Sequence, residues 1–436
     1  MKKILILSLV VISLETCLAQ SSKVVRGPYL QNLTPTSVTV RWRTDKATES
    51  KVIFGTQAEK LNEKETDKKL TTEHEVVLKG LDPKTKYFYT FGSEKEMMKA
   101  DTEQYFVTAP KAGSAEPIRI WALGDFGCSS KNQFQVRDAI LKNTADRRPD
   151  VWLWLGDNAY GIGTDEEFQK HVFGVYQEGF FKNMPFWATP GNHDYAGKHN
   201  PALPPYFKIF SMPQLGEAGG VPSGSESYFS FDYGNIHFVS LDCEGKLDAN
   251  PNEYGDEGKF LWDTTGKQVE WLKKDLTANK QPWTIVFWHR PPYSKGSHDS
   301  DTEEEMVKIR ENLLPILERY NVDIVFSGHS HVYERTHPLV GHYGLDDTFD
   351  PKKHIVAETT SADNYVVKGK KQGIIYIVNG SGGQLGGKEP GYPLNSAVYS
   401  NNTEGGSMIL DVKGNKLEAQ WICGDGVVRD KFSITK

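Results

Sequence analysis

Ile118-Arg119-Ile120-Trp121-Ala122-Leu123 runs directly into Gly124-Asp125-Phe126-Gly127, an apolar strand that ends on a glycine and a carboxylate. The same arrangement returns four times. Residues 151–155 lead into Gly156-Asp157-Asn158-Ala159-Tyr160, and a third segment closes on Gly191-Asn192-His193-Asp194. Val286-Phe287-Trp288 meets His289, and residues 322–326 precede Gly328-His329-Ser330-His331. Open α/β sheets present ligands outside the carboxyl ends of their strands, so groups this far apart in sequence can share one rim. Glycine lets the backbone turn sharply where a side chain must face the site.

Working outward, residues 236–241 and 283–288 also read as buried strands. Residues 133–142, 267–278 and 302–320 read as helices, the last kinked at Pro315. Strands alternating with helices imply a layered α/β domain over residues 117–436. The strand-like tail segments 374–378, 407–412, 416–423 and 427–434 are expected to complete a sheet. Upstream, residues 24–110 read as an all-β unit, because Ser37-Val38-Thr39-Val40-Arg41-Trp42-Arg43 alternates with period two, as do residues 75–78. Leu81-Asp82-Pro83-Lys84-Thr85-Lys86-Tyr87 resembles the corner of a fibronectin type III domain, where a Tyr hydroxyl bonds to upstream backbone. Trp42 is the expected centre of that core. Residues 111–117 read as a linker.

Lys2 and Lys3 precede a mostly apolar run from Ile4 to Leu14, shorter than the roughly 20 residues a spanning helix needs. Cys17-Leu18-Ala19 then sets small side chains at the −3 and −1 positions of a cut before Gln20, so residues 1–19 read as a secretory signal peptide. The expectation is an exported protein, periplasmic or secreted, with no membrane insertion after cleavage. Lys and Arg total 51 against 57 Asp and Glu, which leaves no basic footprint for nucleic acid. Beyond the leader only Cys128, Cys243 and Cys423 remain, enough for one bridge at most.

The residue types behind the strands define a metal chemistry. Carboxylates, an amide oxygen, a phenol and imidazoles together suit a mixture of hard and borderline ions rather than the thiolate sites of structural zinc. Asp157 has a carboxylate that can bridge two cations. Taken singly, each residue has a plainer role: Asp125 as a helix cap, Asn192 in a turn, Tyr160 in the core, His289 as a buried histidine. Their order, each behind a strand, is what separates them from coincidence. His74, His171, His199, His237, His337, His342 and His354 fit no motif. Gly380-Ser381-Gly382-Gly383, with Gly386-Gly387, lacks the Lys-Ser/Thr ending of a P-loop and reads as a rim loop. Cys128 reads as buried.

This constellation resembles the calcineurin-like metallophosphoesterases, and more narrowly the purple acid phosphatases, because Tyr160 follows Asp157 by three residues. Arg26-Gly27-Pro28-Tyr29-Leu30-Gln31 and His331-Val332-Tyr333-Glu334-Arg335 are further similar stretches. The resemblance implies a four-layer α/β catalytic sandwich behind a fibronectin type III-like domain. It implies that Asp125, Asp157, Tyr160 and His331 hold Fe(III), and that Asp157, Asn192, His289 and His329 hold a divalent ion (Fe, Zn or Mn). His193 and His298 then match catalytic and substrate-binding positions, with Asn192 also on the substrate side. Asp299 stands where many plant-type members have a second histidine, and a carboxylate there repels phosphate unless it is protonated or paired. The implied activity is acid phosphatase, hydrolysing small phosphate monoesters by attack of a metal-activated hydroxide, with His193 or His298 donating a proton to the leaving oxygen. A phosphodiesterase or nucleotide pyrophosphatase on the same scaffold is the nearer alternative. A non-catalytic binding protein with a vestigial metal site is the more distant one.

Overall fold

The computed structural model describes residues 22–195, 204–244, 260–356, 358–361, 363–366 and 373–436. The expected leader and His199 lie outside the described residues. Five strands form the first unit: β1 (Val24–Gln31), β2 (Ser37–Gly55), β3 (Glu63–Lys79), β4 (Lys86–Gly92) and β5 (Tyr105–Val107). β2 pairs with β1 through Thr39–Thr44 and with β4 through Lys51–Gly55, and β3 runs antiparallel along it. Its register against β3 shifts between Arg43 and Ser50, where the ribbon passes from one set of partners to the other. Trp42 is buried as expected, stacked on His74 with ring centroids 4.6 Å apart. The Tyr87 hydroxyl accepts the Asp82 N–H at 3.0 Å, the corner bond expected from the sequence.

The second unit contains β6 (Ile118–Leu123), β7 (Val151–Leu155), β8 (Phe186–Thr189), β9 (Phe229–Tyr233), β10 (Ile236–Ser240), β11 (Trp283–Phe287), β12 (Ile324–Ser327) and β13 (Tyr333–Thr336). It continues with β14 (Glu358–Ser361), β15 (Asn364–Val366), β16 (Ile375–Asn379), β17 (Ala397–Asn401), β18 (Gly406–Lys413), β19 (Lys416–Cys423) and β20 (Val428–Thr435). These make two sheets, one ordered β17-β13-β16-β12-β11-β10-β9 and the other β14-β15-β20-β19-β18-β6-β7-β8. The tail therefore divides: β16 and β17 join the first of these sheets, β18 to β20 the second. β6, β7 and β8 run parallel, as do β10, β11, β12 and β16. Strands covered on both faces read as unbroken apolar runs, which is why Val-Trp-Leu-Trp-Leu and Trp-Thr-Ile-Val-Phe are legible.

Aromatic rings fill the space between and behind the sheets. Trp187 of β8 stacks on Phe231 of β9 at 3.8 Å, and Phe231 stacks on Phe238 of β10, joining the two sheets. Trp154 stacks on Phe186 and Trp121 on Trp152, each pair at 4.2 Å. Burying about 200 Å² per ring contributes about 5 kcal/mol of gross transfer energy, so these rings hold the strand ends rigidly. The outer face of the seven-stranded sheet packs against helices Lys267–Ala278, Glu304–Asn312 and Leu314–Arg319 through Val269, Leu272, Ile309, Leu313 and Leu317. The expected kink falls at Leu313, and Pro315 sits in the first turn of the following helix, where its missing N–H costs nothing. Among the described residues no helix is long and apolar enough to cross a membrane.

Candidate metal centre

Five parallel strands, three from one sheet and two from the other, deliver the site at their carboxyl ends. β6 leads to Asp125, β7 to Asp157 and Tyr160, β8 to Asn192, β11 to His289, and β12 to His329 and His331. Asp125, Asp157 and His329 adopt left-handed φ of 58°, 49° and 65°, which a non-glycine residue holds only when its surroundings force it. The forcing contacts are visible. The Asp125 carboxylate accepts the His329 N–H at 3.0 and 2.9 Å, and Asp157 Oδ1 accepts the His193 N–H at 2.8 Å. Gly191 presses so close that a Cβ there would lie 2.3 Å from the Asp157 carboxylate.

The donors gather in two groups. In the first, the Tyr160 hydroxyl lies 3.0 Å from Asp125 Oδ1 and 2.9 Å from His331 Nε2. In the second, His289 Nε2 lies 3.1 Å from Asn192 Oδ1 and 3.3 Å from Asp157 Oδ1, and His329 brings a ligand atom within 4.8 Å of those of Asp157 and His289. His289 donates its Nδ1–H to the Leu155 carbonyl at 2.9 Å, which fixes the tautomer and leaves Nε2 facing the site. Asp157 Oδ1 faces the second group, while its Oδ2 lies 3.8 Å from His193 Nε2, whose ring stands 4.7 Å from that of Tyr160 in the first.

This donor set fits a pair of cations. With Nδ1 as the donor, His289 Nε2, Asn192 Oδ1 and Asp157 Oδ1 are three acceptors crowded within hydrogen-bond range, an arrangement that needs positive charge among them. Without an ion that charge is a proton: burial opposes it, yet the Asp157 carboxylate raises His289 to about 10. Burial drives the Asp125 carboxyl well above its usual range. Burial also raises Asp157, but the His289 charge and the bonds to it overcome that and hold Asp157 low. Desolvation lowers His329 to about 3 and His331 to about 4, so both imidazoles are neutral in weak acid.

Around these donors stand groups that face substrate space or brace the loops. His193 donates Nδ1–H to the Gly161 carbonyl at 2.6 Å, directing Nε2 toward Asp157 Oδ2 at 3.8 Å, and its ring lies 4.7 Å from that of Tyr160. His298 stacks on His329 at 3.7 Å and bonds through Nδ1 to Glu303 at 2.7 Å. Asp299 is paired, its carboxylate 2.6 Å from Lys295 Nζ. The sequence reading did not find Glu303, whose second oxygen lies 3.6 Å from His329 Nε2, or Arg290. Arg290 donates to the same nitrogen at 3.3 Å while Glu244 holds its Nε at 2.7 Å. Neither follows a strand, though Arg290 directly follows His289. Asp194 was quoted without a role. It is buried and accepts the Asn158 and Gly191 N–H groups at 3.0 and 2.8 Å, stapling the β7 loop to the β8 loop.

Two expectations need correction. Of the glycine-rich stretch 380–387 read as a rim loop, residues 384–387 are at least partly exposed, with Gly386 beside His331, whereas residues 380–383 do not lie at the rim. They are buried beneath the Asp125 turn, with Gly382 N–H on the Gly124 carbonyl and Gln384 N–H on the Asp125 carbonyl, because the turn's own carbonyls need donors. Cys128 is half-buried rather than buried, and the three cysteines among the described residues are free.

A calcineurin-like phosphoesterase model matches residues 118–333, and a model of the purple acid phosphatase N-terminal domain matches residues 28–108. The chain carries a calcineurin-like phosphoesterase domain behind a purple acid phosphatase N-terminal domain. Purple acid phosphatase 23 of Arabidopsis thaliana is 30% identical to it over 302 residues, covering 63% of this chain and 59% of the relative. Purple acid phosphatase 15 of the same plant is 29% identical over 299 residues, covering 63% and 51%. The matches thus span little more than half the length of these curated relatives. A purple acid phosphatase isolated from yellow lupin (Lupinus luteus) seeds shares the fold, with a TM-score of 0.71 at 22% identity, covering 94% of this chain and 74% of that one.

Proposed function

We propose that this chain is an exported, metal-dependent acid phosphatase that hydrolyses phosphate monoesters. The reading rests on one observation: seven donors from five strand ends converge with Asp157 between two groups. Asp125, Asp157, Tyr160 and His331 would hold Fe(III), and Asp157, Asn192, His289 and His329 a divalent ion (Fe, Zn or Mn). Such a pair of cations polarises a phosphoryl group and makes a water nucleophilic at mild pH. The chain's own part is positioning and proton handling. His193, with Nδ1 tied to Gly161, presents Nε2 at the exposed side of the site, where it can give a proton to a leaving alkoxide. His298, oriented by Glu303, is the second such group. With Asp299 neutralised by Lys295, the carboxylate in that loop does not repel a phosphate dianion. The phosphoesterase domain and the relatives' names support the phosphatase reading, and the leader-like N-terminus supports export.

The test is direct. Purified protein should contain about two metals per chain by elemental analysis. The iron-loaded form should absorb in the visible, and Tyr160→Phe should abolish that band. A band that survives in Tyr160→Phe removes the phenol from the site. p-Nitrophenyl phosphate should be turned over faster than its bis ester; the reverse order would make the protein a diesterase.

A further inference from the structure

The Arg26–Gln31 stretch, singled out in the sequence, lies in the first domain and far along the chain from every donor, yet Arg26 is turned inward. Its side chain is fully buried, and its guanidinium lies 4.7 Å from the Phe173 ring centre. It donates from Nε to Gln169 Oε1 at 2.7 Å, from Nη1 and Nη2 to the two Asp165 carboxylate oxygens at 3.1 Å each, and from Nη2 to the Asp165 carbonyl. Arg43 of β2 grips the same carboxylate from the other side, with Nη2 2.7 Å from Oδ1 and Nη1 on Oδ2. One carboxylate of the second domain is thus held by two arginines of the first.

Asp165 stands five residues after Tyr160. Between them the chain is braced at each step. Thr164 caps the helical turn that Asp165 begins, with Glu167 completing a capping box. The Glu167 carboxylate accepts the Ile162 and Thr164 N–H groups at 3.1 and 2.9 Å. Gly161, packed against that carboxylate, offers the carbonyl that sets the His193 tautomer. A rigid turn therefore connects the two arginines to the phenol of Tyr160 and the imidazole of His193.

We propose that Arg26 and Arg43 are positioning residues for the catalytic site: by clamping Asp165 they fix the Tyr160–Thr164 turn, and with it the Tyr160 phenol and the His193 tautomer. This makes the first domain a working part of the site rather than an appended module. The proposal rests on the function proposed above, but its geometry is testable without metal.

Arg41 serves as the comparison. It crosses the same domain boundary, bonding the Ser211 hydroxyl at 2.9 Å and the Lys208 carbonyl at 2.8 Å, but makes no hydrogen bond to Asp165 or to the Tyr160–Thr164 turn among the described residues. In the full chain, Arg43→Met and Asp165→Asn should disturb the ring-nitrogen NMR signals of His193 in metal-free protein. Arg41→Met should leave them as in the parent. In iron-loaded protein the first two variants should shift the visible band and lower kcat on p-nitrophenyl phosphate about tenfold with KM nearly unchanged, the size expected when a reacting group is slightly misplaced. Parent-like His193 signals in both Arg43→Met and Asp165→Asn would overturn the proposal, as would an equal disturbance in Arg41→Met. Should Asp165→Asn fail to fold, Arg43→Met decides, since Arg43 is partly exposed and its loss removes half of the bonds that hold the Asp165 carboxylate. If the parent itself lacks band and turnover, the functional reading fails while the NMR comparison still settles the clamp.

Discussion

At the scale of single residues, the tolerances of the site are set by glycines that cannot gain a methyl. Gly191 is the sharpest case, since its Cβ would meet both the N and Oδ1 of Asp157 at 2.3 Å. Gly191→Ala should push the Asp157 carboxylate away from His289. A displacement near 1 Å costs about 100-fold in rate, so kcat and metal content should fall together. Unchanged metal content and turnover in Gly191→Ala would refute that coupling. The seven donors were legible because each stands directly behind an apolar run, where backbone geometry alone aims it. Glu303, Arg290 and Asp194 were not, because their roles depend on where loops distant in sequence return. No local pattern distinguishes Glu303 from its acidic neighbours Glu304 and Glu305.

At the scale of elements, His237 of β10 shows how a helix is fastened to the sheet edge. It is buried, with Nδ1 2.8 Å from Asp232 of β9 and Nε2 2.8 Å from Asp275 of helix Lys267–Ala278. Burial alone would lower its pKa, but the two carboxylates raise it to about 9. Because the folded value exceeds the unfolded value of about 6.5, the stabilisation is fully present below pH 6.5 and is lost as pH rises through about 9. The shift corresponds to roughly 3 kcal/mol. His237→Gln should therefore lower Tm clearly at pH 6 and much less at pH 9.5; an equal loss at both would show that no imidazolium is involved. His237 fitted no functional motif, and its role is structural. The buried strands were readable from their apolar runs, but β3 was legible only at its carboxyl end. Its first eight residues, Glu63–Leu70, are all exposed and show no alternation of buried and open positions. The helical stretch from Asp165 to Gln177 escaped the reading too, although the Thr164–Glu167 capping box ahead of Phe168, Val172, Phe173 and Tyr176 is a helix-start signal.

At the scale of the whole molecule, the two sheets are joined by polar as well as aromatic contacts. Arg335 of β13 forks onto Asp430 of β20 with two bonds of 2.7 Å, and the Tyr333 hydroxyl adds a third at 2.7 Å. Arg335 is buried and would keep only the half-exposed Asp363, at 3.3 Å, as an ion partner among the described residues, so Asp430→Ala should cost about 3 kcal/mol, read as a fall in the denaturation midpoint. A midpoint within experimental error of the parent would mean water reaches the arginine. Metal removal should act on the same junction. Asp125, Asp157, Tyr160 and Asn192 belong to the eight-stranded sheet, and His289, His329 and His331 to the seven-stranded one. An ion bound only by the folded state at 100 times its Kd adds about 2.7 kcal/mol, so chelation should lower Tm. An unchanged Tm on exhaustive chelation would mean that the folded protein binds no ion tightly.

That division has a chemical side as well. Every atom contributed by the eight-stranded half is oxygen, and every atom contributed by the other half is imidazole nitrogen. The oxygen side alone would suit magnesium, calcium or manganese. Preference for iron and zinc arrives with the histidines. Metal choice would thus be set where the two sheets meet rather than by either sheet alone.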